Sequence, residues 1–226
     1  GRTPGQLEET AAAIHAAGGH ALALPADVSD APAVARALDT LAATWGRLDI
    51  VFANAGINGT FAPIDELTPE EWDRTLDINL KGTFLTIKYS VPLLRQQGGA
   101  IVINSSAHGS RTFSLSGMTA YACSKAGQVA MAKMLALELA RDGIRVNVIC
   151  PGPVRTEIDD NTERRGLEGI RFPVAYPADS IPPLTRGELG TPEAVAELVV
   201  FLVSDASRFI TGTEVWIDGG TSLLRG

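Results

Sequence analysis

Residues 100–125 read AIVINSSAHGSRTFSLSGMTAYACSK, and the succession of textures in this stretch decides the fold. Ala100–Asn104 is apolar at nearly every position, the mark of a strand covered on both faces rather than on one. Ser105-Ser106 ends it. From Ala120 an apolar pattern of helical period runs to Arg141 and stops at Gly143. A second apolar run, Arg145–Cys150 (RVNVIC), follows and is closed by Pro151-Gly152-Pro153. Strand, long helix and strand in that order make a βαβ unit, whose two strands lie parallel.

The same alternation extends in both directions. Upstream, Thr3-Pro4-Gly5-Gln6 reads as a capping box opening a helix that stops at Gly18-Gly19. A short strand is expected at Ala21–Leu24, a helix over 32–45, and a buried strand at Leu48–Ala53 that ends in Asn54-Ala55-Gly56. Thr68-Pro69-Glu70-Glu71 is a second capping box. The helix after it runs to about Gln97, with Gly82 and Pro92 as bend points. Downstream, residues 153–190 are irregular, a helix follows Thr191-Pro192-Glu193 to about Val203, and Glu214–Asp218 is the last strand. The expected class is α/β: a doubly wound, mostly parallel sheet with helices on both faces. Residues 1–226 form one domain on this reading. Ligands of such sheets bind beyond the carboxyl ends of the strands, so the residues after each strand matter most.

Composition narrows the function. Apolar residues make up 45% of the 226, enough for a full core. Lysine and arginine number 19 against 26 acidic residues, a net charge of −7, and no basic cluster offers a nucleic acid its phosphate contacts. No apolar run approaches the ~20 residues of a membrane span, and the N-terminal stretch lacks the pattern of a secretory leader. Two cysteines, Cys123 and Cys150, make no disulfide framework, and no Cys/His spacing suggests a metal. Both read as packing residues. A cytoplasmic protein acting on small molecules is expected.

Three features point to chemistry. Tyr121 and Lys125 stand one helical turn apart and share a face. A phenol with pKa near ~10 is a poor base at neutrality. An ammonium at ~4 Å contributes about 4 kcal/mol at an effective dielectric of ~20, enough to depress that pKa by up to ~3 before burial opposes it. A phenol so tuned exchanges a proton with an alcohol or carbonyl. Ser105 or Ser106, at the end of the preceding strand, presents a hydroxyl at the same edge, either as a turn cap or as a hydrogen-bond partner of a substrate oxygen. Asn79 falls inside a helical pattern that disfavours it, and if buried it must have partners.

Together these residues resemble the short-chain dehydrogenase/reductase family. The resemblance is carried by Asp27-Val28, Asn54-Ala55-Gly56, Asn79, Ser106, Tyr121-Ala122-Cys123-Ser124-Lys125, Arg145-Val146-Asn147, Pro151-Gly152-Pro153-Val154-Arg155-Thr156 and Asp218-Gly219-Gly220, in family order over nearly the whole chain. It implies hydride transfer between a nicotinamide nucleotide and a secondary alcohol or ketone. Tyr121 would be the general acid/base, Lys125 its partner and the holder of the nicotinamide ribose, Ser106 the group polarising the substrate oxygen, and Asn79 the anchor of a proton-relay water. Asp27 and Val28 would meet the adenine. Asn54, Ala55 and Gly56 would let the backbone approach the adenosine ribose. Pro151, Gly152, Val154 and Thr156 would contact the nicotinamide and pyrophosphate. Residues 153–190 would form a substrate lid, with Phe172, Tyr176 and Ile181 on its apolar lining. A homodimer or homotetramer is implied, joined through the helices around 69–97 and 120–141 and through the last strand.

The chain departs from the family pattern twice. Fourteen residues separate Ser106 from Tyr121, a longer loop than usual. The family's opening strand and glycine-rich TGxxxGxG turn are not found, as if about 35 residues preceded Gly1 in the full pattern, in which the first strand is central to a 3-2-1-4-5-6-7 order. The chain therefore reads as part of a longer protein lacking its first βα unit. Arg2, where an acidic residue would favour NAD, is placed to pair with a 2′-phosphate and favours NADP over NAD. Two rival readings follow: an inactive fragment or non-catalytic scaffold, because the phosphate turn is missing, and an epimerase or dehydratase, which also uses Tyr and Lys.

Overall fold

The computed structural model describes residues 1–171 and 180–225. In chain order the strands are β1 (Ile50–Ala53), β2 (Gly59–Phe61), β3 (Gly99–Asn104), β4 (Ile144–Pro151), β5 (Thr162–Arg164) and β6 (Glu214–Ile217). The α-helices are α1 (Pro4–Ala16), α2 (Ala31–Trp45), α3 (Pro69–Leu76), α4 (Gly82–Leu94), α5 (Thr119–Glu138), α6 (Pro192–Val203) and α7 (Thr221–Arg225). Four strands form one sheet in the order β1-β3-β4-β6, and every neighbouring pair is parallel.

Each inner strand feeds two cores. Ile101 and Ile103 of β3 and Val146 and Val148 of β4 pack with Val129, Ala132 and Ala136 of α5 and Ile87 of α4. Val102 and Ile149, each next in sequence to these residues, pack with Leu202 of α6 on the opposite face. Side chains alternate across a strand, so a strand buried on both sides must be apolar throughout. This is the Rossmann-like architecture expected, with helices on both faces.

Several local expectations change. Ala21–Leu24 joins no ladder. Its neighbour Ala26 donates a backbone bond to Gly1 O at 2.9 Å. Thr3 opens α1 without a side-chain cap, whereas Thr68 and Glu71 form both halves of the second capping box. The bent helix expected over 69–97 is three pieces: α3, a π-helical turn over Asp77–Lys81, and α4, which runs through Pro92 and ends at Leu94. β2 and β5 make a small parallel sheet of their own, so the segment 153–190 is not wholly irregular. Cys123 is exposed rather than packed, while Cys150 is fully buried in β4. Phe172 and Tyr176 lie outside the described residues; Ile181 is half-buried. No helix among the described residues is long and apolar enough to cross a membrane.

Candidate active site

Because all four strands run parallel, their carboxyl ends share one edge of the sheet. Asn54-Ala55-Gly56 follows β1, Ser105-Ser106 follows β3, Gly152 follows β4 and Asp218 follows β6. Gly152 approaches the last strand so closely that a Cβ there would lie 2.6 Å from Asp218 Cβ, a spacing only glycine allows. Its N–H donates to Ile217 O at 3.0 Å.

α5 brings Tyr121, Ser124, Lys125 and Gln128 to this edge on one buried stripe. The loop from β3 to α5 is drawn onto the first turn of that helix. Ala107 O accepts the N–H groups of Arg111 and Thr112 at 3.0 and 2.9 Å. Gly109, at φ +89°, comes so near that a Cβ would meet Ala122 O at 2.2 Å. The two serines then take different roles. Ser105 Oγ donates to the carbonyl of Lys125 at 2.8 Å and fixes the helix. The Ser106 hydroxyl accepts from His108 N at 3.1 Å and lies near enough to the Tyr121 hydroxyl to favour its ionised form. The Tyr121 ring packs with Phe61, Met118 and Leu167, so the small β2–β5 sheet and the turn after it wall one side of the site.

The electrostatics differ from the expectation. Burial raises the Tyr121 pKa above its ordinary value, and the nearby Ser106 hydroxyl offsets this only partly. Lys125 Nζ lies 5.5 Å from the Tyr121 ring centre and donates to Asn104 O at 2.9 Å. Burial lowers the Lys125 pKa to about 8. The depressed phenol inferred from helical spacing is therefore not found: desolvation of the phenolate dominates, and the ammonium is turned toward the backbone of β3.

Asn79 sits in the π turn, fully buried. Its Oδ1 accepts from Ile57 N at 2.8 Å, and its Nδ2 donates to Ile57 O at 2.9 Å and to Ser124 Oγ at 3.0 Å. Both amide hydrogens are thus spent on the protein. Gly56 lies beneath this amide; a Cβ there would be 3.2 Å from Asn79 Oδ1 and 3.6 Å from Lys125 Nζ.

The other residues singled out by sequence surround this centre. Arg2 and Asp27 form an ion pair at 3.5 Å. Asp27 Oδ1 also accepts from the hydroxyl and N–H of Ser29, which, with Arg2, hold its carboxyl below the usual range. Val28 packs on Gly82, where a Cβ would meet its Cγ2 at 2.7 Å. Asn54 Oδ1 accepts from Asn104 Nδ2 at 2.6 Å, leaving Asn104 Oδ1 buried with no partner. Ala55 is exposed at the rim. Pro151 is the last residue of β4, and its carbonyl accepts from Ala107 N at 2.9 Å. Val154 bridges to Gly190, and the Thr156 hydroxyl caps the turn after it. No cluster of metal-ligating side chains occurs among the described residues. Sequence reasoning missed Gln128 and Thr83, buried beside Asn79; Gln128 falls on the Tyr121/Lys125 stripe, one turn on.

The described features fit a nicotinamide nucleotide: a side-chain-free Gly56 beside an ammonium, an exposed cation at Arg2, and an orphaned amide oxygen at Asn104. Comparison with known proteins finds reductases and dehydrogenases. A family model described as enoyl-(acyl carrier protein) reductase matches residues 3–222. The crystal structure of a 3-ketoacyl-ACP reductase from Sinorhizobium meliloti is 53% identical, with a TM-score of 0.96, and the match covers 100% of this chain and 88% of that one. The 3beta-hydroxysteroid dehydrogenase 1 of Eggerthella lenta is 38% identical over 96% of this chain and 80% of its own length. The D-threitol dehydrogenase of Mycolicibacterium smegmatis is 37% identical over 87% of this chain and 72% of its own length.

Proposed function

The chain belongs to the short-chain dehydrogenase/reductase family of oxidoreductases, and from that premise we propose that it interconverts a secondary alcohol and a ketone, with Tyr121 as the proton-transfer group. The observation that carries this reading is that Ser106, Tyr121 and Lys125 are buried together at the strand ends. Relatives named for a 3-ketoacyl group, a hydroxysteroid and D-threitol support the substrate class.

Gly56, Lys125, Pro151, Gly152, Val154 and Thr156 would hold the nicotinamide half of the nucleotide, and Arg2, Asp27, Val28, Asn54 and Ala55 the adenosine half. Bound there, the nucleotide supplies or accepts the hydride at the substrate carbon. Everything else falls to the protein. A phenol whose pKa is raised by burial keeps its proton at neutral pH and is a hydrogen-bond donor. Tyr121 gives that proton to the oxygen of a carbonyl as it becomes an alkoxide, and takes it back in the reverse direction. Ser106 orients the same oxygen. The Lys125 ammonium lowers the cost of the transient phenolate. Closure by the segment 153–190 would exclude water.

The Arg2–Asp27 pair favours NADP: the aspartate is already neutralised, and an exposed guanidinium has donors left for a 2′-phosphate. The kcat/KM ratio of NADPH to NADH is expected to exceed unity and to fall in Arg2→Ala; a clear NADH preference overturns the assignment. We place the protein in a homodimer or homotetramer, since apolar side chains stand exposed on α4, α5 and α6.

Turnover of a ketone panel, followed by loss of nicotinamide absorbance, tests the reaction itself. Tyr121→Phe is expected to lower kcat by roughly a hundredfold or more, the worth of a positioned proton donor. Wild-type turnover in that variant rejects Tyr121 as the acid/base.

A further inference from the structure

The π turn over Asp77–Lys81 replaces ordinary i+4 bonding with wider spacing; the Gly82 N–H reaches back to Asp77 O. Carbonyls displaced in such a turn need donors from elsewhere. Asn79 O finds two: Thr83 Oγ1 donates to it at 2.7 Å and Gln128 Nε2 at 2.8 Å. Gln128 gives its second hydrogen to Thr83 Oγ1, also at 2.8 Å. Asn79 and Gln128 are wholly buried and Thr83 nearly so. Gln128 Oε1 has no partner, so the amide is held by what it donates. Turned over, it would set its oxygen against the Asn79 carbonyl.

On the far side of the same residue, the Asn79 side chain grips both backbone groups of Ile57, and Ile57 follows the Gly56 that lies beside Lys125. We propose that Gln128 is a positioning residue: by donating to the Asn79 carbonyl it fixes the π turn, and through the Asn79 side chain it holds the Gly56–Ile57 loop against Lys125. The inference rests on the oxidoreductase reading only for what that loop holds. Methionine in place of Gln128 fills the space but donates nothing, and glutamate replaces a double donor by an acceptor.

The Ile57 amide reports the chain of bonds directly. Gln128→Met and Gln128→Glu are expected to speed its hydrogen exchange roughly tenfold, the worth of about one net hydrogen bond. The Ile101 and Val148 amides in the sheet keep their wild-type rates. Unchanged exchange at Ile57, or an equal rise at all three, overturns the proposal. Gln128→Asn keeps the amide but falls one methylene short, and gives the same comparison where the larger changes do not fold.

In turnover, Gln128→Met is expected to raise the nucleotide KM by about tenfold while the ketone KM stays near wild type. On an Asn79→Ala background the same change adds nothing, because Gln128 acts through Asn79. Additive losses overturn the proposal. A wild-type chain that reduces no ketone with either nucleotide defeats the oxidoreductase reading instead, and the exchange comparison still decides on Gln128.

Discussion

Lys125 lies only 4% exposed, and its folded-state pKa falls to about 8 against an ordinary 10.5. A lysine that loses its proton more readily when folded destabilises the fold while both states carry the charge. As pH rises past 8 the folded state gives up the proton before the unfolded state does, so stability increases with pH. Cys150 acts in the opposite sense: burial raises its thiol from 9.0 to about 11, so its contribution declines from pH 9 upward. The clean window is therefore pH 8 to 9. Between those values the wild type is expected to gain about 1 kcal/mol over Lys125→Met, read from urea midpoints; parallel curves would show that the lysine is not desolvated. The identities of Tyr121, Ser106 and Lys125 were legible in the sequence because a helical turn and a strand end place them without reference to anything distant. The direction of the Tyr121 pKa was not, because it depends on Phe61 and Leu167 closing over the ring from other elements.

Among the elements, the small β2–β5 sheet was the least legible. Each strand has three residues, and their pairing joins segments about a hundred positions apart. Asn58 Nδ2 donates across it to Thr162 Oγ1 at 2.8 Å. Next to it Arg165 clasps the capping carboxylate of α3, with Nη1 and Nη2 each 2.6 Å from a Glu71 oxygen, while Glu71 also accepts from Thr68 N. Arg165 first, and the Thr68 N–H second, hold the Glu71 carboxyl down at about 2. Such a depressed carboxylate contributes stability above its ordinary pKa and loses it as pH falls toward 2. The pair is partly open to solvent, so Glu71→Gln is expected to cost only about 1 kcal/mol at pH 7. The gap from wild type should close between pH 4.5 and 2. A gap that persists at the acid end contradicts the ion-pair account. The Thr68 capping box was readable from four consecutive residues, and Gly82, read as a bend point, is where α4 begins after the π turn. The π turn itself was not, since it exists through donors from Thr83 and Gln128.

For the whole molecule, the apolar surface is uneven. Met134 and Leu137 on the outer face of α5, Phe84 on α4, and Val200 and Phe201 on α6 are exposed. Faces of this kind mark interfaces. Light scattering is expected to give a dimer or tetramer, and Leu137→Glu a smaller species; a monomeric wild type removes the oligomer from the proposal. The strand order was implied only by the family resemblance. The α/β class and the parallel sheet followed from the sequence alone, because apolar runs such as Ala100–Asn104 and Arg145–Cys150 encode burial on both faces by local pattern. So did the gathering of Asn54, Ser106, Gly152 and Asp218 at one edge, since parallel strands bring all their carboxyl ends to the same side. Only the tertiary structure decided which way burial moves the Tyr121 proton and that Gln128 donates to the Asn79 carbonyl. Those outcomes depend on desolvation and on hydrogen bonds between residues far apart in the chain, and local pattern carries no record of either.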